Sequence, residues 1–290
     1  MTSYTRTKSI SSDLADGYEN LRIAFEKLGV KMDSPSMDGF LRRILFPDGR
    51  KIFFTANALP LNCASAVSLA HDKLATYQVL IEEGIAIPKG IAFFASEFHR
   101  RQTQAEPQLL LENLPSAILE HFPDITAANF KVIIKPGQGR CGYMVNICKT
   151  LFEIQSFARD ILTSFHYGLI QEYINGPEYR VVILDENPII IYQKCLSRLE
   201  KGENDNPVRG DTGISIELAK APFEVIEIAK KAHRALGLRF SGIDVCLPQN
   251  IPPAIVLEVN SSPGFDALED DFNFDAEKLA GIIAKAVLAT

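Results

Sequence analysis

The stretch Ile255-Val256-Leu257-Glu258-Val259-Asn260-Ser261-Ser262-Pro263-Gly264-Phe265 starts as a buried strand and then takes on a carboxylate and an amide. A carboxylate buried without a partner is strongly unfavourable, so such a strand needs compensation from elsewhere in the chain. Side chains at i and i+2 of a strand share a face, so Glu258 and Asn260 converge wherever that face lines a cleft. The preceding strand candidate, Gly242 to Leu247, carries one similar intrusion, Asp244. A turn over Pro248 to Pro253 folds the two runs antiparallel and makes Asp244 a cross-strand neighbour of Glu258. Two carboxylates and an amide oxygen are hard ligands suited to Mg²⁺ that also holds phosphates. With no His or Cys beside them, zinc is disfavoured. The plainer alternative pairs each acid with an arginine or leaves it at a frayed strand end. A carboxylate-pair hydrolase is also conceivable, but it leaves Asn260 and the lysines described below without a role.

The rest of the composition narrows the class. A chain of 290 residues with 47% hydrophobic and 23% charged side chains suits two compact lobes. The net charge of -6 argues against a nucleic-acid partner or a polybasic membrane surface. No apolar run approaches the ~20 residues that span a bilayer. The opening MTSYTRTKSISSD lacks the apolar core of a signal peptide and reads as a mobile tail. Cys63, Cys141, Cys148, Cys195 and Cys246 show no CxxC or metal spacing, which points to reduced thiols in a cytoplasm. The five histidines are dispersed and read as surface or core residues.

Hydrophobic periodicity predicts helices over 17–30, 72–83, 156–162, 222–237 and 275–288, with a further helix among loops around 107–121. Pro47-Asp48-Gly49 joins two β-rich runs as a hairpin. From 131 onward short strands dominate: KVIIK, YMVNIC, GLIQEY, YRVVIL, PIIIYQKC, FSGIDVCL and AIVLEVN. Strand pairs with tight turns and long helices predict an α+β fold, or α/β with largely antiparallel sheets.

A magnesium site implies phosphate nearby, and Ile133 to Gly142 (IIKPGQGRCG) supplies candidate partners. Lys135 ends an apolar strand, and Gly137, Gly139 and Gly142 follow in a loop whose backbone N–H groups can approach phosphate oxygens. No GK[ST] closes this loop as in a Walker sequence, and no GxGxxG opens a helix. A glycine-rich hairpin explains it equally well. Lys73 begins the 72–83 helix, where spacing alone makes it a solvent-facing first-turn residue. The run Leu169 to Arg180 (LIQEYINGPEYR) is a strand, a turn and a strand. Its backbone can offer an edge to adenine, and Glu178 can accept from ribose hydroxyls. A plain hairpin with exposed Glu178 and Arg180 fits the spacing as well.

In this order the landmarks DK, KP with a glycine loop, QEYI-G-EYR, GIDV and EVN-SPG resemble an ATP-grasp carboxylate–amine ligase from about residue 40 to 290. Within that superfamily the chain is similar to the group of cyanophycin synthetase, ribosomal-protein glutamate ligase and bifunctional glutathione synthetase. The resemblance implies an α+β ATP-grasp fold, two α/β lobes with largely antiparallel sheets holding ATP between them. A short N-terminal, substrate-side region would occupy 1–70 and the ATP-grasp domain 71–290. Within the latter, 71–175 would cover the nucleotide and 176–290 would bind metal.

The resemblance also implies roles. Lys73 and Lys135 would contact ATP phosphates beneath Gly137, Gly139 and Gly142; Gln171, Glu172, Tyr173 and Ile174 would line the adenine; Glu178 would take the ribose. Asp244, Glu258 and Asn260 would ligate one or two Mg²⁺, with Mn²⁺ as a substitute. Arg198 would face an acyl phosphate, with Arg180 and Arg209 near the acid substrate. Two departures stand out. Met144 occupies a place where many members have a second glycine, which implies a stiffer loop. Gly242 stands where the D-alanine ligase branch has an arginine, which argues against that branch and leaves Arg198 as the anion stabiliser.

The implied reaction joins a carboxylate to an amine through an acyl phosphate, releasing ADP and phosphate. The implied partners are small amino acids or peptides, with no nucleic acid and no membrane, acting as a cytoplasmic homodimer or homotetramer. Loops at 31–62 and 196–215 are the expected substrate readers. A regulatory ATP-binding module, or phosphoryl or thioester transfer on the same scaffold, are the alternatives.

Overall fold

The structure is a computed structural model that describes residues 16–36, 40–95, 108–110, 113–123, 130–139, 142–194, 213–248, 253–264 and 274–290. Helix α1 (Asp16–Lys27) buries Leu21, Ala24 and Phe25 at helical spacing. It is followed by a three-stranded antiparallel sheet of β1 (Lys31–Asp33), β2 (Leu41–Leu45) and β3 (Lys51–Thr55). The turn expected at Pro47-Asp48-Gly49 joins β2 to β3, with Phe46 N–H donating to Arg50 O and Gly49 N–H to Phe46 O, both at 3.0 Å.

Helices α2 (Ala64–His71) and α3 (Lys73–Glu82) come next, and α2 runs across position 70/71. They pack on a five-stranded sheet of order β5-β4-β8-β6-β7. Its strands are β4 (Gly90–Phe94), β5 (Gln108–Leu110), β6 (Val132–Pro136), β7 (Asn146–Cys148) and β8 (Tyr167–Glu172). Only the β4–β5 pair is parallel. Alternation along β4 divides the faces: Phe94 packs toward α2 and α3, and Phe93 toward α4 (Leu114–His121) and α5 (Leu151–Ser164). Helix α5 begins five residues before the expected 156 because Thr150 and Glu153 form a capping box. Strand β7 begins at Asn146, not Tyr143, because residues 142–145 turn and Met144 has φ +56°.

Between Glu172 and Glu178 the chain passes to a second five-stranded sheet, antiparallel throughout, of order β11-β10-β9-β12-β13. Its strands are β9 (Glu178–Leu184), β10 (Asn187–Lys194), β11 (Gly213–Ser215), β12 (Phe240–Cys246) and β13 (Ile255–Asn260). One face, with Tyr179, Val181, Ile183, Ile243 and Val245, packs on α6 (Phe223–Ala235) through Val225, Ala229 and Ala232.

The other face has two halves, and this division positions the site. Val182, Leu184, Ile190, Tyr192 and Phe240 are covered by α1, the three-stranded sheet and α7 (Ala276–Leu288). Glu178 and Arg180 continue the same face of β9 beyond that cover, so apolar and charged halves follow from one period-two pattern, EYRVVIL. The region before residue 62 therefore shares a core with the second sheet and α7. Asn62 fixes it further: Oδ1 accepts from the N–H groups of Arg239 and Phe240 at 2.8 and 2.9 Å, and Nδ2 donates to the carbonyls of Phe240 and Ser261, both at 2.7 Å.

Candidate nucleotide-binding site

Strand β13 pairs with β12 in the register Gly242↔Asn260, Ile243↔Val259, Asp244↔Glu258, and then slips so that Val245 faces Val256. Leu257 is the extra residue of a β-bulge. Without the slip, Val256 and Glu258 would share a face by simple alternation. With it, Val256 and Val259 both enter the core packed on α6, and Glu258 turns to the cleft beside Asp244. The expected cross-strand neighbours Asp244 and Glu258 are thus opposite each other. Gly242 stands opposite Asn260, and a side chain there would meet Pro263 Cβ at 3.0 Å.

Asp244 also faces Arg180 across β9 and β12. The guanidinium grips it twice, Nε to Oδ1 and Nη2 to Oδ2, each at 2.7 Å, and Lys194 Nζ reaches Oδ2 at 2.8 Å. The pairing of an acid with an arginine, the plainer alternative from sequence, is therefore present at Asp244. Burial raises the carboxyl's proton affinity, but Arg180 and then Lys194 outweigh it and hold Asp244 below the usual carboxylate range. Oδ1 accepts one bond and Oδ2 two, so Oδ1 keeps a lone pair among the described residues. Glu178 is the opposite case. Burial pushes its carboxyl up and the Asp244 charge adds to this, while Lys194, Lys135 and Arg180 pull it down.

The two lysines come from the other side of the cleft. Lys73, 9% exposed, is buried and not solvent-facing; its Nζ lies 3.4 Å from Glu258 Oε1 and 3.3 Å from Gly139 O. Burial and the Lys135 charge lower its pKa, partly offset by Glu258. Lys135, also buried, donates to the hydroxyl of Tyr77 at 2.9 Å. The glycine loop is tied to the start of α3: Lys73 N–H donates to Gly137 O at 2.9 Å, and Asp72 pairs with Gln138 as a β-bridge. Asp72 caps α3 at Ala75 N–H and accepts from Tyr167 Oη at 2.5 Å. Gly137 lies so near the Tyr167 ring that a Cβ would be 1.9 Å from it, so only glycine fits. Met144 holds the left-handed conformation that a second glycine would adopt freely, and Asn146 Nδ2 supports its carbonyl at 3.2 Å.

At the seam between sheets, the Glu172 N–H donates to Lys89 O at 2.9 Å and the Glu172 carboxylate accepts from Lys89 N at 2.8 Å. Gln171 is buried in β8, and Lys131 Nζ lies 3.4 Å over the Tyr173 ring.

Four cations, Lys73, Lys135, Arg180 and Lys194, therefore meet three carboxylates, Glu178, Asp244 and Glu258, in one cleft. Asn260 Nδ2 is buried beside them without a hydrogen-bond partner among the described residues. An excess of buried positive charge and an orphaned polar group fit an anionic, oxygen-rich ligand. Among the described residues no three His, Cys, Asp or Glu gather as a metal cage, so a cation here would rely on two carboxylates and an amide.

Residues 70–284 match the family of RimK-like ATP-grasp domains. The chain belongs to this family. It is 27% identical over 221 residues to the probable alpha-L-glutamate ligase of Aeromonas salmonicida (strain A449), covering 75% of this chain and 64% of that protein, less than two thirds of its length. It is 25% identical over 288 residues to the probable alpha-L-glutamate ligase 2 of Shewanella denitrificans, covering 94% and 85%. The ATP-grasp fold is shared with the D-alanine–D-alanine ligase from Bacillus anthracis, at TM-score 0.57 and 20% identity over 79% of this chain and 70% of that one. It is shared also with the ATP-grasp ligase PsnB complexed with minimal precursor, Mg and ADP, at TM-score 0.53 and 19% identity over 79% and 61%.

In this RimK-like ATP-grasp chain, Arg198 and Arg209 lie outside the described residues, as do Cys141 and Cys195. Tyr77 and Lys194 are site residues that the sequence reading did not single out. Tyr77 stands four residues after Lys73, hence on the same helix face, and Lys194 follows Tyr192 by two in β10. Cys148 and Cys246 are buried free thiols and Cys63 is exposed. His233 is a core residue bonded to Ser241 Oγ at 2.7 Å. Among the described residues no helix is long and apolar enough to cross a membrane.

Proposed function

We propose that the chain is an ATP-dependent ligase that joins a carboxylate to an amine through an acyl phosphate and releases ADP and phosphate. The observation that carries the reading is the convergence of buried Lys73 and Lys135 on the edge bearing Glu258, Asn260 and Asp244. Lys73 and Lys135 would hold the phosphates of ATP, with the N–H groups of Gly139 and Gly142 to add to them, since the Gly137 N–H is committed to Tyr167 O at 3.1 Å. Glu258, the Asn260 side-chain oxygen and the remaining lone pair of Asp244 Oδ1 would hold magnesium, with manganese as a substitute. The ion would neutralise charge on the transferring phosphoryl group. Because the Glu172 N–H is committed to Lys89, a purine edge would meet the backbone of Tyr173 and Ile174. Glu178 would take the ribose hydroxyls, and Arg180 would act mainly by holding Asp244 ionised.

The chemistry demands positioned charge and excluded water more than a general base, which suits a cleft floor made of lysines, arginine and carboxylates. The names of the relatives make L-glutamate the first amino acid to try, as acid or as amine. The test is phosphate release with Mg-ATP across amino acids and dipeptides, followed by mass spectrometry of the product. An amide product with ADP and phosphate is expected; AMP with pyrophosphate, or a phosphorylated or thioester product, would overturn the reading.

A further inference from the structure

Tyr77 sits one helical turn after Lys73 on α3, 5% exposed, with its hydroxyl at the junction of the two sheets. The hydroxyl accepts from Lys135 Nζ at 2.9 Å and donates to the Leu257 carbonyl at 2.6 Å, while Gln171 Oε1 lies at 3.4 Å. A phenol has one proton. The short contact to Leu257 takes it, which leaves the oxygen lone pairs facing the ammonium of Lys135. Lys135 belongs to β6 of the first sheet, and Leu257 is the bulge residue of β13, immediately before Glu258.

We propose that Tyr77 is a positioning residue of the nucleotide site. It aims Lys135 into the cleft and fixes the bulge that turns Glu258 the same way, so that one hydroxyl sets both lobes' contributions in register. This rests on the site being one for Mg-ATP. β13 is an edge strand paired only with β12, and Tyr77 supplies a donor to the carbonyl of its bulge residue. Lys135 Nζ lies 5.3 Å from the ring centre but 2.9 Å from the hydroxyl, so it sits off the rim beside the oxygen and not over the face, and it is the hydroxyl that holds the ammonium. Phenylalanine would fill the same space and keep the ring, but it would leave both the carbonyl and the ammonium without this partner. The effect belongs to orientation and not to packing.

The test compares the unaltered chain with Tyr77→Phe, Lys135→Met and the double variant. Mg-ATP affinity is read by calorimetry, and Lys135 accessibility by labelling with an amine-reactive reagent without nucleotide, quantified by mass spectrometry. Tyr77→Phe is expected to weaken Mg-ATP binding about tenfold, the size of one hydrogen bond to a charged group. Labelling of Lys135 should rise severalfold. In the Lys135→Met background the same change should cost clearly less, because Tyr77 acts through Lys135. Unchanged affinity and labelling in Tyr77→Phe, or full additivity in the double variant, would overturn the inference. Tyr77→Met, read the same way, replaces Tyr77→Phe if a melting curve shows that the latter does not fold. If the unaltered chain fails to bind Mg-ATP, the ligase reading falls and this inference with it. Normal binding with an indifferent Tyr77 removes this inference alone.

Discussion

Arg180 and Asp244 face each other across β9 and β12 and are joined by two parallel contacts of 2.7 Å each. The pair sits where the second sheet changes from apolar to charged on one face. Val182, two residues on in β9, is already under the N-terminal cover. Asp244 is almost wholly buried, with side chain 4% exposed, and Arg180 and Lys194 are 12% and 19% exposed. Its charge is tolerable only because both cations are in place.

Asp244→Ala should therefore destabilise the chain, by about 3 kcal/mol at neutral pH, the lower end expected when one partner of a buried ion pair is removed, since the cations keep some solvent. The pH sign follows from the direction of the shift. The folded carboxyl lies below its ordinary value of 3.8, so its stabilisation is complete above that pH and is lost as pH falls through the lower folded value. Denaturant unfolding at pH 7 and pH 3 should show the gap between the unaltered chain and Asp244→Asn narrowing in acid. A gap that stays constant would remove Asp244 as the titrating group.

Glu258→Gln separates the metal role from the structural one more cleanly. Glu258 is a third exposed and paired at 3.4 Å with Lys73 alone among the described ion pairs, so its loss should change stability by less than about 1 kcal/mol. Turnover should fall by about 100-fold or more if the carboxylate helps hold the cation that neutralises the phosphoryl group. Turnover that survives this change would dismiss Glu258 as a ligand. A fall in turnover matched by an equal loss of folded protein would assign it to structure.

The turn expected at 248–253 was enough to make Asp244 and Glu258 cross-strand neighbours, whereas the pairing of β9 with β12 that sets Arg180 against Asp244 was not legible, because it joins residues 64 apart in the chain. The slip at Leu257 was not legible, because a bulge is decided by main-chain pairing between strands and leaves no mark in one strand's own pattern. Burial of Lys73 was hidden for a related reason. The first turn of an isolated helix is solvent-facing, and only the docking of Gly137 and β13 against α3 encloses it. Strand β4 (GIAFF) lacks alternation because both its faces are covered. The start of α5 was written in Thr150-x-x-Glu153, a capping-box pattern outweighed by the stronger apolar periodicity further on.

Lys73 predicts an alkaline limb. Burial, and then Lys135, lower its pKa below the ordinary 10.5, with Glu258 opposing, so the free chain loses this charge earlier than an exposed lysine would. Because kcat/KM reports groups of the free protein, kcat/KM for ATP should decline before pH 10.5. Lys73→Arg, whose guanidinium stays charged throughout, should shift or remove that decline even if activity at neutral pH is reduced. A limb at the same pH in Lys73→Arg would mean that another group controls it.

Gly137 and Gly142 should behave differently although both lie in the loop. A Cβ at Gly137 would fall 1.9 Å from the Tyr167 ring, and that ring is held by Asp72, which also caps α3 and contacts Gln138. Gly137→Ala must therefore displace either the loop or the Tyr167–Asp72 bracket, at a cost of about 1–3 kcal/mol. Since Lys73 N–H bonds to Gly137 O, ATP affinity should fall with it. At Gly142 a Cβ meets open space, but φ is +64°, so Gly142→Ala should cost only about 1 kcal/mol of backbone strain. Thermal melts with and without Mg-ATP distinguish the two: Gly137→Ala should lose most of the nucleotide-induced rise, whereas Gly142→Ala should keep it from a slightly lower baseline. Equal behaviour of both variants would show that the Tyr167 contact does not shape the loop proposed to cover the phosphates.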